Sequence, residues 1–275
     1  MAFKLSAITW SHHYSYELKK IDDAGLIDLY AKEGLGGIEF ILEHLNSSER
    51  EHLLKLKKRA TDAGLSITCI SPGNSFGKKK AEDEQGQIDY VKKGVDIAEI
   101  MGCANVRVFA GWPDGSKEEM WPKAVDSMKI CAKYAETKGI TLAVEPHNGG
   151  GYLPDSKSTL KFLSDVNSPF VKLNLDTGNF LGHDKDIYEA LAKTVKHATY
   201  CHVKIHSITE AGETSDFDID KTIKVLSEGN YRGWLAVEYE GQEFIKGEKE
   251  EKAENELGYF KYAVKKIKDA VKKHY

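Results

Sequence analysis

Paired cysteines, an excess of basic residues and long apolar runs are all missing from this sequence. Its four cysteines, Cys69, Cys103, Cys131 and Cys201, are widely scattered among 275 residues, and no two have the spacing of a metal or redox motif. The cysteines therefore predict no disulfide framework, and they indicate a reduced, cytoplasmic protein.

Membrane and nucleic-acid partners are also disfavoured. No window approaches about eighteen uninterrupted apolar residues, so we expect no membrane span. The first ten residues, MAFKLSAITW, lack the basic and apolar regions of a signal peptide. The formal net charge of −4 argues against a nucleic-acid partner, because such proteins usually carry a basic face.

Strand and helix patterns alternate along the chain. The eight strand candidates are residues 3–10, 37–41, 66–71, 105–110, 141–145, 171–176, 199–205 and 234–240. Helical patterns between them include residues 48–63, 117–138, 156–166 and 220–228, and a last helix runs from about 248 to 273. This order without a linker predicts an α/β protein, a single-domain (β/α)8 TIM barrel over residues 1–275.

A doubly wound open sheet is the main rival, because it also alternates strands with helices. Such sheets usually carry a glycine-rich fingerprint after the first strand, whereas this strand ends AITWSHHYS. Gly64, Gly102, Gly139 and Gly229 follow predicted helices, where a left-handed C-cap is expected. The mixed-charge runs GKKKAEDE and GEKEEKAENE are interpreted as solvated helix starts.

Polar residues alternate with apolar ones in the later strands. In VKLNLDTG, for example, Lys172, Asn174 and Asp176 share one face of the strand, and the apolar residues share the other. A parallel strand in a doubly covered sheet normally has two apolar faces. A barrel explains the difference, because only the outer face packs on helices while the inner face points to the axis.

Four of these inward residues are predicted to meet at one mouth of the barrel. Glu145, Asp176, His202 and Glu238 lie at or near the carboxyl ends of strands five to eight, the face where barrels keep their active sites. Separate salt bridges or helix caps are the alternative. Three neighbouring carboxylates would repel one another, however, and a bound divalent cation removes that repulsion. We therefore predict one metal ion: Mn²⁺ or Mg²⁺, with Co²⁺ or Zn²⁺ as alternatives.

Such a centre suits proton transfer next to a carbonyl. The four ligands leave octahedral positions open for neighbouring oxygens of a hydroxy-ketone, whose carbonyl the cation would polarise. Glu145 and Glu238 stand at the two ends of the ligand arc, so we predict that one removes the alpha proton and the other returns it. Epimerisation, isomerisation and dehydration share the enediolate intermediate, and the ligands do not distinguish them.

Further residues on the active face are candidates for substrate binding. Trp112 follows strand four, and packing is its alternative role. His12 and Asn74 lie in the loops after strands one and three, and Glu240 is in phase with Glu238 just beyond strand eight.

Two other features have structural explanations. Glu39 and Arg107 are inward-facing on strands two and four and are expected to pair with each other as core charges. The glycines of HNGGGY could approach a phosphate, but turn geometry alone explains them. Phosphorylated substrates therefore stay open.

The stretches GIEF, LAVEPH, LNLDTGN, YCHVKIH and GWLAVEYEG cover most of the chain in order. They resemble the xylose isomerase-like TIM barrels, a sugar isomerase/epimerase superfamily that includes ketose 3-epimerases, hydroxypyruvate isomerases and inosose dehydratases. The resemblance implies the same four metal ligands and two glutamates that act as acid and base. It also implies substrate contacts for His147 and for Lys204, which matches the lysine of the family's HVK stretch.

The sequence departs from this family at two substrate-contact positions. Many members carry histidine where this chain has Asn179, and ketose 3-epimerases place an arginine where this chain reads SITE. Both departures argue against a tagatose-type 3-epimerase and leave the metal ligands intact.

The sequence thus predicts a metal-binding enzyme of carbohydrate metabolism, an isomerase or epimerase acting on a small keto-sugar or polyol, with a homo-oligomer as a further expectation. The runner-up is a lyase, either inosose dehydratase-like or keto-glycoside-cleaving. An abasic-site endonuclease would need further histidines, further acids and a basic groove. A non-catalytic binding subunit is disfavoured because Glu145 and Glu238 are intact.

Overall fold

Eight parallel strands form a closed barrel in which neighbours along the chain are neighbours in the sheet. The computed structural model describes residues 4–275. The strands are β1 Leu5–Ile8, β2 Gly37–Ile41, β3 Ser66–Ser71, β4 Asn105–Phe109, β5 Thr141–Glu145, β6 Val171–Asp176, β7 Ala198–Ile205 and β8 Trp234–Tyr239. β1 closes the barrel, because Ala7 lies opposite Ile38 of β2 on one side and Val237 of β8 on the other. The predicted TIM barrel is confirmed, and the open sheet is wrong.

Ten α-helices accompany these strands in the part of the chain that the structure describes. They are α1 His13–Glu17, α2 Asp23–Lys32, α3 Arg50–Asp62, α4 Ala81–Met101, α5 Lys117–Thr137, α6 Ser156–Val166, α7 Ile187–Thr194, α8 Ile219–Glu228, α9 Gly241–Phe244 and α10 Lys249–His274. The two mixed-charge runs precede or begin α4 and α10 as predicted, but they are not fully solvated, because their last residues, Glu84 and Glu256, are buried. Within residues 4–275, no helix has both the length and the apolar character needed to cross a membrane.

The strand boundaries follow the sequence pattern closely. β2, β3, β5 and β6 have the predicted limits, whereas β1 is shorter than the predicted residues 3–10. Phe3 lies outside the described residues, and Trp10 belongs to a 3-10 turn that follows the strand.

The predicted glycine caps are confirmed at three of four positions. Gly64, Gly102 and Gly139 have φ angles of 76°, 77° and 66°. Gly229 has a φ of −74°, and the left-handed residue is Asn230, with a φ of 58°. Asparagine tolerates this conformation better than most residues with a side chain. The left-handed residue after α8 therefore comes one position later than expected.

Residues 69–201 form one compact unit. Its strands β4 and β5 pair in register up to their ends, where Phe109 lies opposite Glu145. The apolar residues of β5 and β6 are buried, among them Leu142, Val144 and Leu173. This register places Glu145 at the carboxyl end of the paired region.

Residues 4–68 and 202–275 form the second compact unit. Its long helix α10 packs against β8 and against the short helix α1. In β8, Leu235, Val237 and Tyr239 are buried and alternate with Glu238. Two strand ends, those of β7 and β8, therefore present polar side chains from a well-packed support.

Candidate metal centre

The structure brings together the four predicted metal ligands. Glu145, Asp176, His202 and Glu238 each offer one ligand atom, and these atoms all lie within 4.8 Å of one another. All four side chains are buried. Three carboxylates and one imidazole form a donor set that suits Mn²⁺ or Mg²⁺, so these residues fit a divalent cation.

Glu145 is held by two hydrogen-bond donors and one cation, all from residues 69–201. Asn174 Nδ2 donates to Glu145 Oε2 over 3.1 Å, and Asn179 Nδ2 donates to Oε1 over 3.4 Å. Arg107 Nε lies 3.2 Å from Oε2, an ion pair between two buried side chains. Both carboxylate oxygens are thus fixed at the end of β5.

Asp176 is oriented by the backbone that follows β6. Its Oδ1 accepts hydrogen bonds from Gly178 N, at 2.7 Å, and Asn179 N, at 3.0 Å. Asparagine or aspartate at the start of a turn commonly makes such contacts. The turn therefore fixes the direction of this carboxylate.

His202 is oriented by Glu39. The distance from His202 Nε2 to Glu39 Oε2 is 2.9 Å, and both side chains are fully buried. A neutral imidazole that donates from Nε2 leaves Nδ1 as the nitrogen able to bind a metal. Nδ1 faces Glu238, whose Oε2 is 3.5 Å away.

The predicted pairing of Glu39 with Arg107 is therefore wrong. Arg107 pairs with Glu145, and its guanidinium lies over the Phe109 ring at 4.1 Å from the ring centre. Both residues have the predicted inward phase. Phase does not indicate which other strand a long side chain reaches, so the partner of each residue had no signal in the sequence.

Glu238 lies beside a buried lysine. Lys204 Nζ is 3.4 Å from Glu238 Oε2 and 3.3 Å from Glu240 Oε1. Burial alone would raise the pKa of Glu238, but the nearby Lys204 ammonium, together with His202 when its ring carries a proton on Nδ1, outweighs burial and lowers this pKa below its ordinary value. Glu238 is therefore held as a carboxylate.

Charged contacts continue outward from Glu238 to the surface. Glu240 Oε2 is 3.7 Å from His206 Nε2, and His206 Nδ1 is 2.5 Å from Asp216 Oδ2. We call Glu238, Lys204, Glu240, His206 and Asp216 the mouth ion-pair chain. Its two outer members, His206 and Asp216, were not among the predicted site residues. The alternation in HVKIH puts His206 in phase with His202 and was an available signal, whereas Asp216 lies in a loop without one.

Trp112 and His147 together hold the glycine-rich loop after β5. Trp112 Nε1 donates to Gly149 O over 2.8 Å, and Gly149 N donates to His147 Nδ1 over 2.9 Å. The two rings meet edge to face at 5.1 Å, beside a small cavity that Glu145 also lines. Because His147 Nδ1 accepts a hydrogen bond, the neutral ring carries its proton on Nε2.

The contacts of two further candidates are structural. His12 has no exposed surface; its Nδ1 is 3.1 Å from Tyr30 Oη, and its ring lies 4.6 Å from that of Phe260. Burial, with a smaller effect of His44, lowers the pKa of His12 to about 3.

Asn74 is also fully buried and extends the pairing next to β4. It donates to Phe109 O over 2.8 Å and accepts from Phe109 N over 3.0 Å. The structure thus encloses both His12 and Asn74 in protein contacts, and substrate binding by either stays a prediction.

Comparisons with known proteins agree with this geometry. The model of a family described as xylose isomerase-like TIM barrel matches residues 27–263. A hydroxypyruvate isomerase from Escherichia coli (strain K12) is 25% identical over 232 residues, which cover 77% of this chain and 85% of that protein. An inosose dehydratase from Bacillus cereus is 25% identical over 163 residues, 51% of this chain and 54% of that protein. The chain therefore spans about half the length of the inosose dehydratases it matches.

Solved structures share the fold over nearly the whole chain. D-psicose 3-epimerase from Clostridium cellulolyticum H10 has a TM-score of 0.80 at 16% identity, covering 99% of this chain and 98% of that one. A xylose isomerase domain protein from Planctomyces limnophilus has a TM-score of 0.76 at 17% identity, covering 100% and 99%. At these identities the likeness shows the fold.

Proposed function

Because the chain belongs to the xylose isomerase-like TIM barrel family, we propose that it is a divalent-metal-dependent isomerase or epimerase of a small keto-sugar or related polyol. The observation that carries this proposal is the buried group of Glu145, Asp176, His202 and Glu238, whose ligand atoms lie within 4.8 Å of one another. A hydroxypyruvate isomerase that is similar over most of the chain supports the reaction class.

Mn²⁺ or Mg²⁺ held by these four residues would polarise a substrate carbonyl and stabilise the negative charge that develops on its oxygen. The neighbouring residues prepare the ligands for this role. Glu39 fixes the His202 ring through the 2.9 Å contact at Nε2, and the turn after β6 fixes Asp176 through two backbone N–H groups.

Glu145 and Glu238 exchange the proton next to the carbonyl. Each is a carboxylate beside a buried cation, Arg107 for Glu145 and Lys204 for Glu238. One takes the proton from the substrate carbon as general base, and the other, after taking a proton from solvent, delivers that proton as general acid. Return to the same carbon gives the epimer, and return to its neighbour gives the isomer.

Substrate hydroxyls are bound by polar groups around the two glutamates. His147 offers an N–H at Nε2, because its Nδ1 is occupied by Gly149 N. Lys204 and Glu240 contribute from the ends of β7 and β8, and Trp112 covers the sugar from the loop after β4. Asn179 acts on the substrate through Glu145, to which its side-chain amide donates.

A dehydratase of the same family is the second candidate, and the inosose dehydratases among the relatives favour it. Dehydration begins with the same removal of an alpha proton by a carboxylate. It differs in the next step, in which a beta-hydroxyl leaves as water with a proton supplied by the second glutamate in its protonated form.

The proposal is tested by incubating the Mn²⁺-loaded protein in D₂O with a panel of ketoses and inososes. We expect deuterium to enter the carbon next to the carbonyl of at least one ketose, as observed by NMR. Glu145→Gln and Glu238→Gln should each lower the exchange rate by about 10²–10⁴-fold, whereas Glu210→Gln, at an exposed position, should not.

Calorimetric titration of the metal-free protein with Mn²⁺ gives a readout independent of turnover. Failure to bind Mn²⁺, or full exchange activity in both glutamine variants, would contradict the proposal. Loss of water from an inosose, without epimer or isomer formation from any ketose, would favour the dehydratase.

A further inference from the structure

The mouth ion-pair chain carries excess negative charge. It contains three carboxylates, those of Glu238, Glu240 and Asp216, and one ammonium, that of Lys204. Even a protonated His206 leaves the chain with more negative than positive charges. An approaching anion therefore meets repulsion on this side of the mouth.

The positive charge of Lys204 is already shared between two carboxylates. Its Nζ lies 3.4 Å from Glu238 Oε2 and 3.3 Å from Glu240 Oε1, and its side chain is only 5% exposed. A buried ammonium between two carboxylates has little net attraction left for a third anion. Lys204 therefore does not make this part of the site a phosphate-binding site.

Glu240 is the carboxylate of this group that a substrate would meet first. Its side chain is 18% exposed, against 7% for Glu238. Lys204 holds Oε1, and His206 lies 3.7 Å from Oε2, so the carboxylate has a side-chain neighbour at each oxygen. A carboxylate fixed in this way still accepts hydrogen bonds from hydroxyl groups at its other lone pairs.

Building on the proposed function, we propose that Glu240 is a specificity-determining residue that admits uncharged polyol substrates and rejects phosphorylated or carboxylated ones. Hydroxyl groups donate to its carboxylate, whereas a phosphate or carboxylate group meets a like charge in a partly buried site. Specificity of this kind comes from the unfavourable interaction with the wrong substrate. Hydroxypyruvate is itself an anion, so the inference separates this chain from its hydroxypyruvate isomerase relative.

Binding of inorganic phosphate to the metal-free protein tests the inference without any need for turnover. We expect Glu240→Gln, which keeps the size of the side chain, to bind phosphate about tenfold more tightly than wild type at low ionic strength. The gain should shrink as salt is added, because salt screens the repulsion. Glu210→Gln removes a charge at an exposed position near β7 and should bind phosphate like wild type.

A second experiment compares D-fructose with D-fructose 6-phosphate as ligands of the Mn²⁺-loaded protein. Binding of each ligand is detected by the electron paramagnetic resonance of Mn²⁺. Wild type should prefer the free sugar, and Glu240→Gln should lose at least severalfold of that preference. If Glu240→Gln folds poorly, Glu240→Ser takes its place in both experiments.

Each contrary outcome overturns the inference. The first is that wild type prefers D-fructose 6-phosphate to D-fructose. The second is that wild type and Glu240→Gln bind inorganic phosphate equally well, or that neither binds it. If the protein binds no Mn²⁺, the proposed function fails, while the phosphate titration still decides the role of Glu240.

Discussion

At the scale of single residues, each proposed acid–base group has its own buried cation. Glu145 lies beside Arg107, whose guanidinium stays charged at all accessible pH values, and Glu238 lies beside Lys204. A buried carboxylate without such a partner would be costly. These cations let the two glutamates be charged and buried before any metal ion is bound.

Replacing Arg107 should therefore destabilise the metal-free protein. We expect Arg107→Met to lower the free energy of unfolding by about 3–5 kcal/mol, because Glu145 is left as an unpaired buried charge. Mn²⁺ should restore more stability to this variant than to wild type. Urea unfolding with and without Mn²⁺ measures both quantities.

Arg59 offers a matched control. It pairs with Asp28 on the surface, where both side chains are about half exposed, and Arg59→Met should cost no more than about 1 kcal/mol. Equal losses in the two variants would show that the Arg107 pair has no special role.

His12 should make the protein sensitive to acid. Its pKa is lowered to about 3 from 6.5, chiefly by burial. Between these two pH values, the unfolded chain binds a proton on His12 that the folded chain does not bind. The stability that comes from a neutral His12 is therefore complete above pH 6.5 and is lost as the pH falls. Relative to wild type, the free energy of unfolding of His12→Phe should rise by at most about 3 kcal/mol as the pH falls from 6.5 to about 4.

Chemical unfolding across that pH range checks the expectation for His12. The lost contact with Tyr30 adds an offset that does not change with pH. A stability difference between wild type and His12→Phe that stays constant with pH would contradict the assignment. A large rise in KM, by contrast, would support the predicted substrate contact.

At the scale of elements, α1 is capped by a residue far along the chain. Glu256 of α10 is fully buried and accepts hydrogen bonds from Tyr14 N, Ser15 N and Ser15 Oγ, over 2.9, 2.8 and 2.7 Å. The first N–H groups of a helix have no partner within it. Glu256 therefore ties the segment after β1 to the last helix.

The stability that Glu256 contributes should fall as the pH rises. Burial, opposed by the hydrogen bonds from Ser15 and Tyr14, raises the pKa of Glu256 to about 7 from 4.5. The folded chain holds a proton that the unfolded chain has released, so the stability from this group is complete below pH 4.5 and declines towards pH 7. As the pH rises over that range, the free energy of unfolding of Glu256→Gln should increase relative to wild type by at most about 3 kcal/mol.

Thermal unfolding at several pH values measures the effect of Glu256. Glu254→Gln, at an exposed position of the same helix, is the control and should keep a nearly constant difference from wild type. A constant difference for Glu256→Gln as well would contradict the prediction.

The turn between β4 and Trp112 depends on a glycine. Gly111 has a φ of 103°, and an added Cβ would lie 2.5 Å from Phe76 N. Gly111→Ala should therefore destabilise the protein by at least about 1–3 kcal/mol and displace Trp112. Gly86→Ala within α4, where nothing lies within 4 Å, should instead stabilise by up to about 1 kcal/mol. Calorimetry compares the two variants, and equal melting temperatures would contradict the role of Gly111.

At the scale of the whole molecule, the ligands come from four successive strands, β5 to β8. An ion that binds only the folded chain shifts unfolding by mass action, by about 2.7 kcal/mol at a hundredfold excess over its Kd. We expect Mn²⁺ to raise the melting temperature and EDTA to reverse the rise. Asp176→Asn should lose most of the effect, while Asp126→Asn, at an exposed position of α5, should keep it.

The fold and the convergence of the four proposed ligands were predictable because both depend on local alternation. The alternation of polar and apolar residues gave the limits of β5 to β8 to within one residue, and the inward phase of Glu145 and Glu238 followed from the same pattern. Partners on other strands were not predictable. Glu39 reaches His202, and Arg107 reaches Glu145, through relative strand positions that no local pattern encodes.

His12 shows a second limit of sequence analysis. The chain leaves β1 at Ile8 and enters a 3-10 turn over Thr9–His12. The direction of a side chain in such a turn no longer follows strand alternation, so the contacts of the His12 ring with Tyr30 and Phe260 were not predictable from the sequence.

The contacts of Glu145 and Asp176 imply that the protein itself orders part of the proposed ligand set. Asn174, Asn179 and Arg107 hold one carboxylate, and the turn after β6 holds the other. Ligands ordered during folding lose little further entropy when an ion arrives. Cation uptake should then be governed by how readily the ion sheds its water, so Mg²⁺, which dehydrates reluctantly, should load more slowly than Mn²⁺.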